Sequence, residues 1–202
     1  MKIEKLIIAN DGYVNCHSCY YSSKDVLKTD STFCLNSEIN KMYGEIDSGV
    51  WAVSYLLSMY RYRPRDFMMF SQPEVMLNDS IMSLNELSKY TCYMDVIYPL
   101  FTSKKSVKKL VLLGLKQKIV NCSADDIRQL FCIDRERFER PIAACGNEIF
   151  KAMAAIGYCY GKEIFCFPWL SKRRFENYHN NIIGVLDVLS ELNKMAILPL
   201  GE

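Results

Sequence analysis

Gly44-Glu-Ile-Asp-Ser-Gly49-Val-Trp-Ala-Val-Ser-Tyr-Leu-Leu-Ser-Met-Tyr60 is the stretch on which the reading of this chain turns. Two glycines bracket a short polar turn. Directly after it, Val50, Val53, Leu56, Leu57 and Tyr60 recur at the spacing of one helical face. Directly before it, Phe33, Leu35, Ile39, Met42 and Tyr43 alternate with polar residues and stop at Gly44. The segment predicts strand, glycine loop, helix. Backbone amides of such a loop can cradle an anion. Glu45 and Asp47 place two carboxylates in this one, and they repel it.

Towards the N-terminus, residues 2–9 predict a first strand, closed by Asn10-Asp11-Gly12. Residues 10–32 are polar and tyrosine-rich and predict a strand with loops. Towards the C-terminus, Pro64 marks a break. Phe67-Met-Met-Phe70 predicts a short strand, stopped by Gln72-Pro73. Asn78, Asp79 and Ser80 are candidate N-caps for a helix over 81–89. Residues 90–98 are apolar and aromatic and read equally as strand or helix. From 103 to 160 the period is helical. Val107, Leu110, Val111, Leu113 and Leu115 mark one helix, Ser123 with acids behind it caps a second, and 147–160 forms a third. Ile164-Phe-Cys-Phe167 predicts a buried strand ending at Pro168. A helix over 180–193 and a last strand over 196–200 follow. Strands alternating with helices predict an α/β domain, single over 1–202, with a helical subdomain at about 103–160.

Composition bounds the function. Of 202 residues, 50% are hydrophobic and 24% charged, which excludes disorder as the main state. The net charge of +2 excludes a strongly electrostatic nucleic-acid binder. No apolar run approaches the roughly 20 residues a bilayer span needs, so no membrane insertion is expected. Met1-Lys-Ile-Glu-Lys5 is too interrupted by charge for a secretion signal. Nine scattered cysteines, an odd number, read as reduced thiols packed in a core rather than as a disulfide framework. Cytoplasmic localisation is expected.

The order of elements resembles that of an ATP-binding-cassette (ABC) ATPase domain, a P-loop NTPase with a mixed sheet, flanking helices and a helical subdomain. Gly44, Ser48 and Gly49 resemble the frame of a Walker A loop. Phe70-Ser-Gln72-Pro-Glu74, then Leu77-Asn-Asp-Ser-Ile81, resembles the glutamine loop of exporter-type cassettes. The short gap between these motifs suggests a lost strand or hairpin. Arg137-Phe-Glu-Arg-Pro141, then Cys145-Gly-Asn-Glu148, resembles the approach to the signature sequence. Gly161-Lys-Glu-Ile-Phe-Cys-Phe167 resembles the lead into the Walker B strand.

The resemblance implies chemistry that the residues do not supply. Val50 and Trp51 stand where a phosphate-binding lysine and a magnesium-binding hydroxyl are needed. Pro168 and Trp169 stand where a metal-binding aspartate and a water-polarising glutamate are needed. Ala144-Cys-Gly-Asn-Glu148 keeps one glycine of the signature. The last strand runs out through Leu198-Pro-Leu-Gly-Glu202, which supplies no switch histidine. Together these losses imply a protein that is not an enzyme, has no cofactor or metal, and is not expected to bind ATP. Gln72 is retained, and in the family that loop faces the transporter's membrane domain, so Gln72 is expected to serve contact.

Cys16-His-Ser-Cys19 lacks two further ligands for a closed zinc site. Cys145 beside Gly146 has no histidine motif to activate it and reads as packing. Lys104, Lys105, Lys108 and Lys109 form a basic stretch, read as sharing roughly one helical face; the alternatives are a solvated face or a surface for an acidic partner. Lys172-Arg173-Arg174 is a second basic cluster. Thirteen tyrosines offer contact area with a polar tip. Tyr20 or Tyr21 resembles the family's adenine-stacking aromatic. The expected function is protein binding, as a non-hydrolysing partner of a transporter subunit or of a competent ATPase. The alternative is a stand-alone immunity or antitoxin protein that neutralises a toxin domain.

Overall fold

The computed structural model describes residues 3–10, 14–18, 21–27, 31–44, 50–62 and 74–201. Two four-stranded sheets form its frame. The first is antiparallel. Its strands are β1 (Lys5–Asn10), β4 (Ser31–Asn36), β6 (Glu74–Leu77) and β7 (Ser80–Ile81), in the order β4-β1-β6-β7. Strands β2 (Val14–Ser18) and β3 (Tyr21–Leu27) pair as a separate hairpin. In β1, Leu6 and Ile8 are buried while Lys5 is exposed, the alternation of a sheet with one covered face.

The second sheet is parallel. It contains β5 (Ile39–Tyr43), β8 (Thr91–Tyr93), β9 (Ile164–Cys166) and β10 (Met195–Leu200), in the order β5-β10-β9-β8. Every residue of β8, β9 and β10 is buried, as a parallel sheet covered by helices requires. Helices α1 (Val50–Met59) and α7 (Lys172–Glu191) pack on this sheet. Helix α1 is buried from Val53 to Met59 without a polar stripe. Its Ser58 hydroxyl returns to the Ser54 carbonyl at 2.5 Å, so that polar group is satisfied inside the core.

Between β8 and β9 lie four helices: α3 (Val107–Leu115), α4 (Ala124–Leu130), α5 (Arg135–Phe138) and α6 (Ile149–Cys159). Ser106 caps α3. Ser123 caps α4 in a reciprocal box with Asp126, as the sequence predicts. Helix α3 packs on α6, and α4 and α5 pack on α3, with Val107, Leu110, Ile127 and Phe150 buried.

The structure corrects several readings. Residues 33–43 are two strands in two sheets, separated at Ser37-Glu38. The Asn40 amide secures that bend by donating to the carbonyls of Asn36 and Glu38, each at 2.9 Å. Asn78 and Asp79 are not N-caps. Their φ angles of 48° and 61° make the turn between β6 and β7, whose mirror-type geometry suits the twist of a hairpin. The cap of the following helix, α2 (Leu84–Leu87), is Ser83, boxed with Glu86. The stretch Leu77–Ile81, likened to a glutamine loop, is therefore the end of a hairpin on the antiparallel sheet. The path from the parallel sheet into the helical region instead leaves from β8 at Met94-Asp95. The last helix begins at Lys172, well before residue 180. The strand expected over 67–70 lies outside the described residues.

Candidate functional site

In open parallel sheets ligands bind beyond the carboxyl ends of the strands. Here those ends are Gly44 after β5, Met94-Asp95 after β8, Phe167-Pro-Trp-Leu170 after β9, and Gly201 after β10. Backbone bonds knit three of them together. The Gly44 amide donates to Leu200 at 3.0 Å, the Leu170 amide to Pro199 at 3.1 Å, and the Gly201 amide to Leu170 at 2.9 Å.

One side chain ties this edge shut. The Trp169 indole Nε1 donates to the Gly44 carbonyl at 3.0 Å. Its ring also lies against Gly201, where an added Cβ would come within 2.7 Å of the ring's Cζ2. Pro168 is buried, and so is Val50 at the start of α1. Trp169 thus bridges the first glycine of the loop and the end of the last strand. An indole N–H is a donor only; it accepts no proton from water and binds no metal.

Asp95 and Arg174 also face this edge. The Asp95 carboxylate accepts the Ile97 amide at 3.2 Å. Burial pushes its pKa above the usual carboxylate value, although that hydrogen bond and the Arg174 cation pull the other way. Arg174, Lys172 and Arg173 are exposed in the first turn of α7, whose cap is Ser171. Cations at that end oppose the helix dipole, so helix stability does not account for them.

At the segment likened to the signature, Gly146 has φ +58° and leads through a short turn into α6. Glu148 is already engaged. It accepts the Asp134 amide at 2.9 Å and lies 3.6 Å from Arg137, which also donates to Asn147. Cys145 is buried, with its sulfur 3.5 Å from the Pro141 carbonyl. Burial raises its pKa to about 11, so the thiol is protonated at neutral pH and packs rather than attacks.

The remaining predicted site residues are scattered. Of the glycine-loop frame only Gly44 is described; Ser48, Gly49 and Gln72 lie outside the described residues. Lys104 and Lys105 do not share the α3 face, because they precede its cap Ser106. Lys108 is spent on Glu139 at 2.7 Å, and Lys109 is exposed. His179 is inside α7, edge-on to Phe175 at 5.3 Å. The Cys16 side chain and Cys19 lie outside the described residues. Among the described residues no three His, Cys, Asp or Glu side chains gather as a metal site. Sequence reasoning treated Trp169 as a lost glutamate and missed its bond. It also missed Asp95 and the half-hidden pair Lys194–Glu163, 2.7 Å apart.

This arrangement is that of an ABC ATPase-like fold, a P-loop NTPase architecture with a parallel core, an antiparallel sheet and a helical region. Comparison with solved structures agrees. The chain superposes on cbiO1 from Clostridium perfringens, part of the ABC transporter complex cbiONQ, with a TM-score of 0.64 at 10% identity, covering 100% of this chain and 80% of that one. A putative ABC transporter ATP-binding protein from Pyrococcus furiosus gives a TM-score of 0.62 at 15% identity over 98% and 91%. A bacterial Atm1-family ABC exporter with ATP bound gives 0.60 at 7% identity, covering all of this chain and 35% of that one. No family profile and no curated protein matches the sequence. Among the described residues no helix is long and apolar enough to cross a membrane.

Proposed function

We propose that this chain is an ABC-ATPase-like protein that does not hydrolyse ATP and works by binding another protein, as the non-hydrolysing partner of a transporter subunit or of a competent ATPase. The observation that carries the reading is the Trp169–Gly44 bond. At the place that the family resemblance gives to the water-polarising glutamate, this chain has a donor turned onto the glycine loop. Pro168 beside it offers no ligand for magnesium, and Val50 and Trp51 offer neither lysine nor hydroxyl to phosphates. Some of the superposed proteins are components of transporter complexes, which supports a protein partner of that kind. Seven described cysteines are free thiols, which fits a reducing, cytoplasmic setting.

The test is a calorimetric titration with ATP and magnesium, paired with a phosphate-release assay. Absence of turnover at saturating ATP is expected. Phosphate release that scales with protein concentration and survives repurification would overturn the reading.

A further inference from the structure

The helical region carries a run of lysines along α3 and, just past the end of that helix, an open groove. Along α3, Lys109, Leu112 and Lys116 follow one another at three and four residues and share a stripe. Lys104 and Lys105 extend the charge ahead of the helix, and Lys118 extends it behind. Lys108 alone of this group is neutralised, by Glu139; the other five have no ion-pair partner among the described residues. Two large apolar side chains stand exposed among them, Leu112 at 44% and Ile119 at 58%. Single exposed aliphatic side chains are ordinary on a protein surface; these two matter here because lysines flank them and one of them borders a groove.

Ile119 is also the lip of the groove. Its side chain lies over Gly161, and beyond it opens a space of about 570 Å³ lined by Val120, Cys122, Leu130 and Tyr158. Asn121 and Gln129 add amides to its wall. Asp126 lines it too, but its carboxylate accepts the Ser123 amide at 2.8 Å and is held at the cap. Asp125, in the same turn, lies 3.6 Å from Arg128.

We propose that this face docks an acidic amphipathic segment of a partner protein. Its apolar side chains enter the groove beside Ile119 and cover Leu112 on the lysine stripe, and its carboxylates meet the unpaired lysines. The charge sets the sign of the partner, and the concavity sets its kind. A peptide side chain enters a groove, whereas a lipid surface meets a convex apolar patch. The proposal rests on the reading that the chain works through protein contact, and names the chemistry of that contact. The two fail separately, because ATP turnover would overturn the non-hydrolysing reading without bearing on this surface.

The experiment is fluorescence polarisation with a labelled Glu/Leu amphipathic peptide, against a Lys/Leu peptide of the same pattern. Saturable binding of the acidic peptide alone is expected. It should weaken about tenfold in the double variant Lys109→Glu/Lys116→Glu, as removal of close charge complementarity does, and also weaken in Leu112→Ala/Ile119→Ala. If the helix variant melts lower than the parent, Lys104→Glu/Lys105→Glu, which lies outside the helix, replaces it. No binding of the acidic peptide, equal binding by parent and variants, or lysine-dependent binding to phosphatidylserine vesicles in place of the peptide would each overturn the proposal.

Discussion

The Trp169 indole donates to the Gly44 carbonyl across 125 positions of sequence, joining the segment after the third parallel strand in chain order to the segment after the first. The bond is part-buried, so the carbonyl has restricted access to water as a substitute. Trp169→Phe keeps most of the ring and removes the donor, and should cost about 1 kcal/mol in urea unfolding. Trp169→Ala also removes the packing against Gly201 and should cost about 3 kcal/mol. Equal stability of all three proteins would show that the tie contributes nothing. Gly201→Ala tests the same contact from the other side. Its methyl would meet the ring at 2.7 Å, so the indole must move, and a shift in tryptophan emission should report it.

Lys194 and Glu163 form the most enclosed ion pair among the described residues, with side chains 16% and 13% exposed and 2.7 Å apart. Lys194 also stands 5.9 Å from the Tyr158 ring centre. Removing one partner leaves the other half-buried and unmatched. Lys194→Met or Glu163→Gln should each cost about 2 kcal/mol, less than for a fully buried pair because some solvent reaches both groups. The double variant should cost less than the sum, and a double-mutant cycle by chemical unfolding measures that coupling.

Much of this fold is legible in the sequence, and what is not legible has a physical cause. Strand β5 and helix α1 are legible because a period of two gives way to apolar residues at helical spacing. The Ser123 cap is equally local. Asn78-Asp79 is different, because a short polar side chain before an apolar run suits an N-cap and a hairpin turn alike. The choice is made by β6 pairing with β1, Val75 opposite Ile8, some 67 positions away. The first turns of α7 carry Phe175, Tyr178 and Ile182 at helical spacing behind Ser171, a signal obscured by the charged residues between them. Nothing local reveals the tie made by Trp169, since it exists only once three strand ends meet.

Asp95 gives a pH-dependent test. Its pKa is raised by burial from the ordinary 3.8, so the folded protein holds this proton more tightly than the unfolded chain does. Stability from this group is therefore full below the ordinary value and is lost as pH rises through the folded value. At neutral pH the carboxylate is a net cost. Asp95→Asn keeps an acceptor for the Ile97 amide and removes the charge. The variant should be more stable than the parent at pH 7, and its advantage should shrink as pH falls towards the ordinary carboxylate range. Thermal unfolding across that range checks the sign; a variant less stable at pH 7 would show that the Arg174 attraction outweighs burial.

Gly184 gives a test that does not touch the site. It lies in the middle of α7, and a Cβ built there meets nothing within 4 Å. Its φ is not in the left-handed region, so no backbone conformation demands glycine. Glycine inside a helix costs about 0.5–1 kcal/mol relative to alanine, chiefly through the freedom it has when unfolded. Gly184→Ala should therefore raise stability by about that amount, with peptide binding at the α3 face unchanged. The same variant examines the extent of the last helix. Were residue 184 outside a helix, alanine would give no such gain, and the packing of Ile182, Val185, Leu186 and Leu189 into the core would need another explanation.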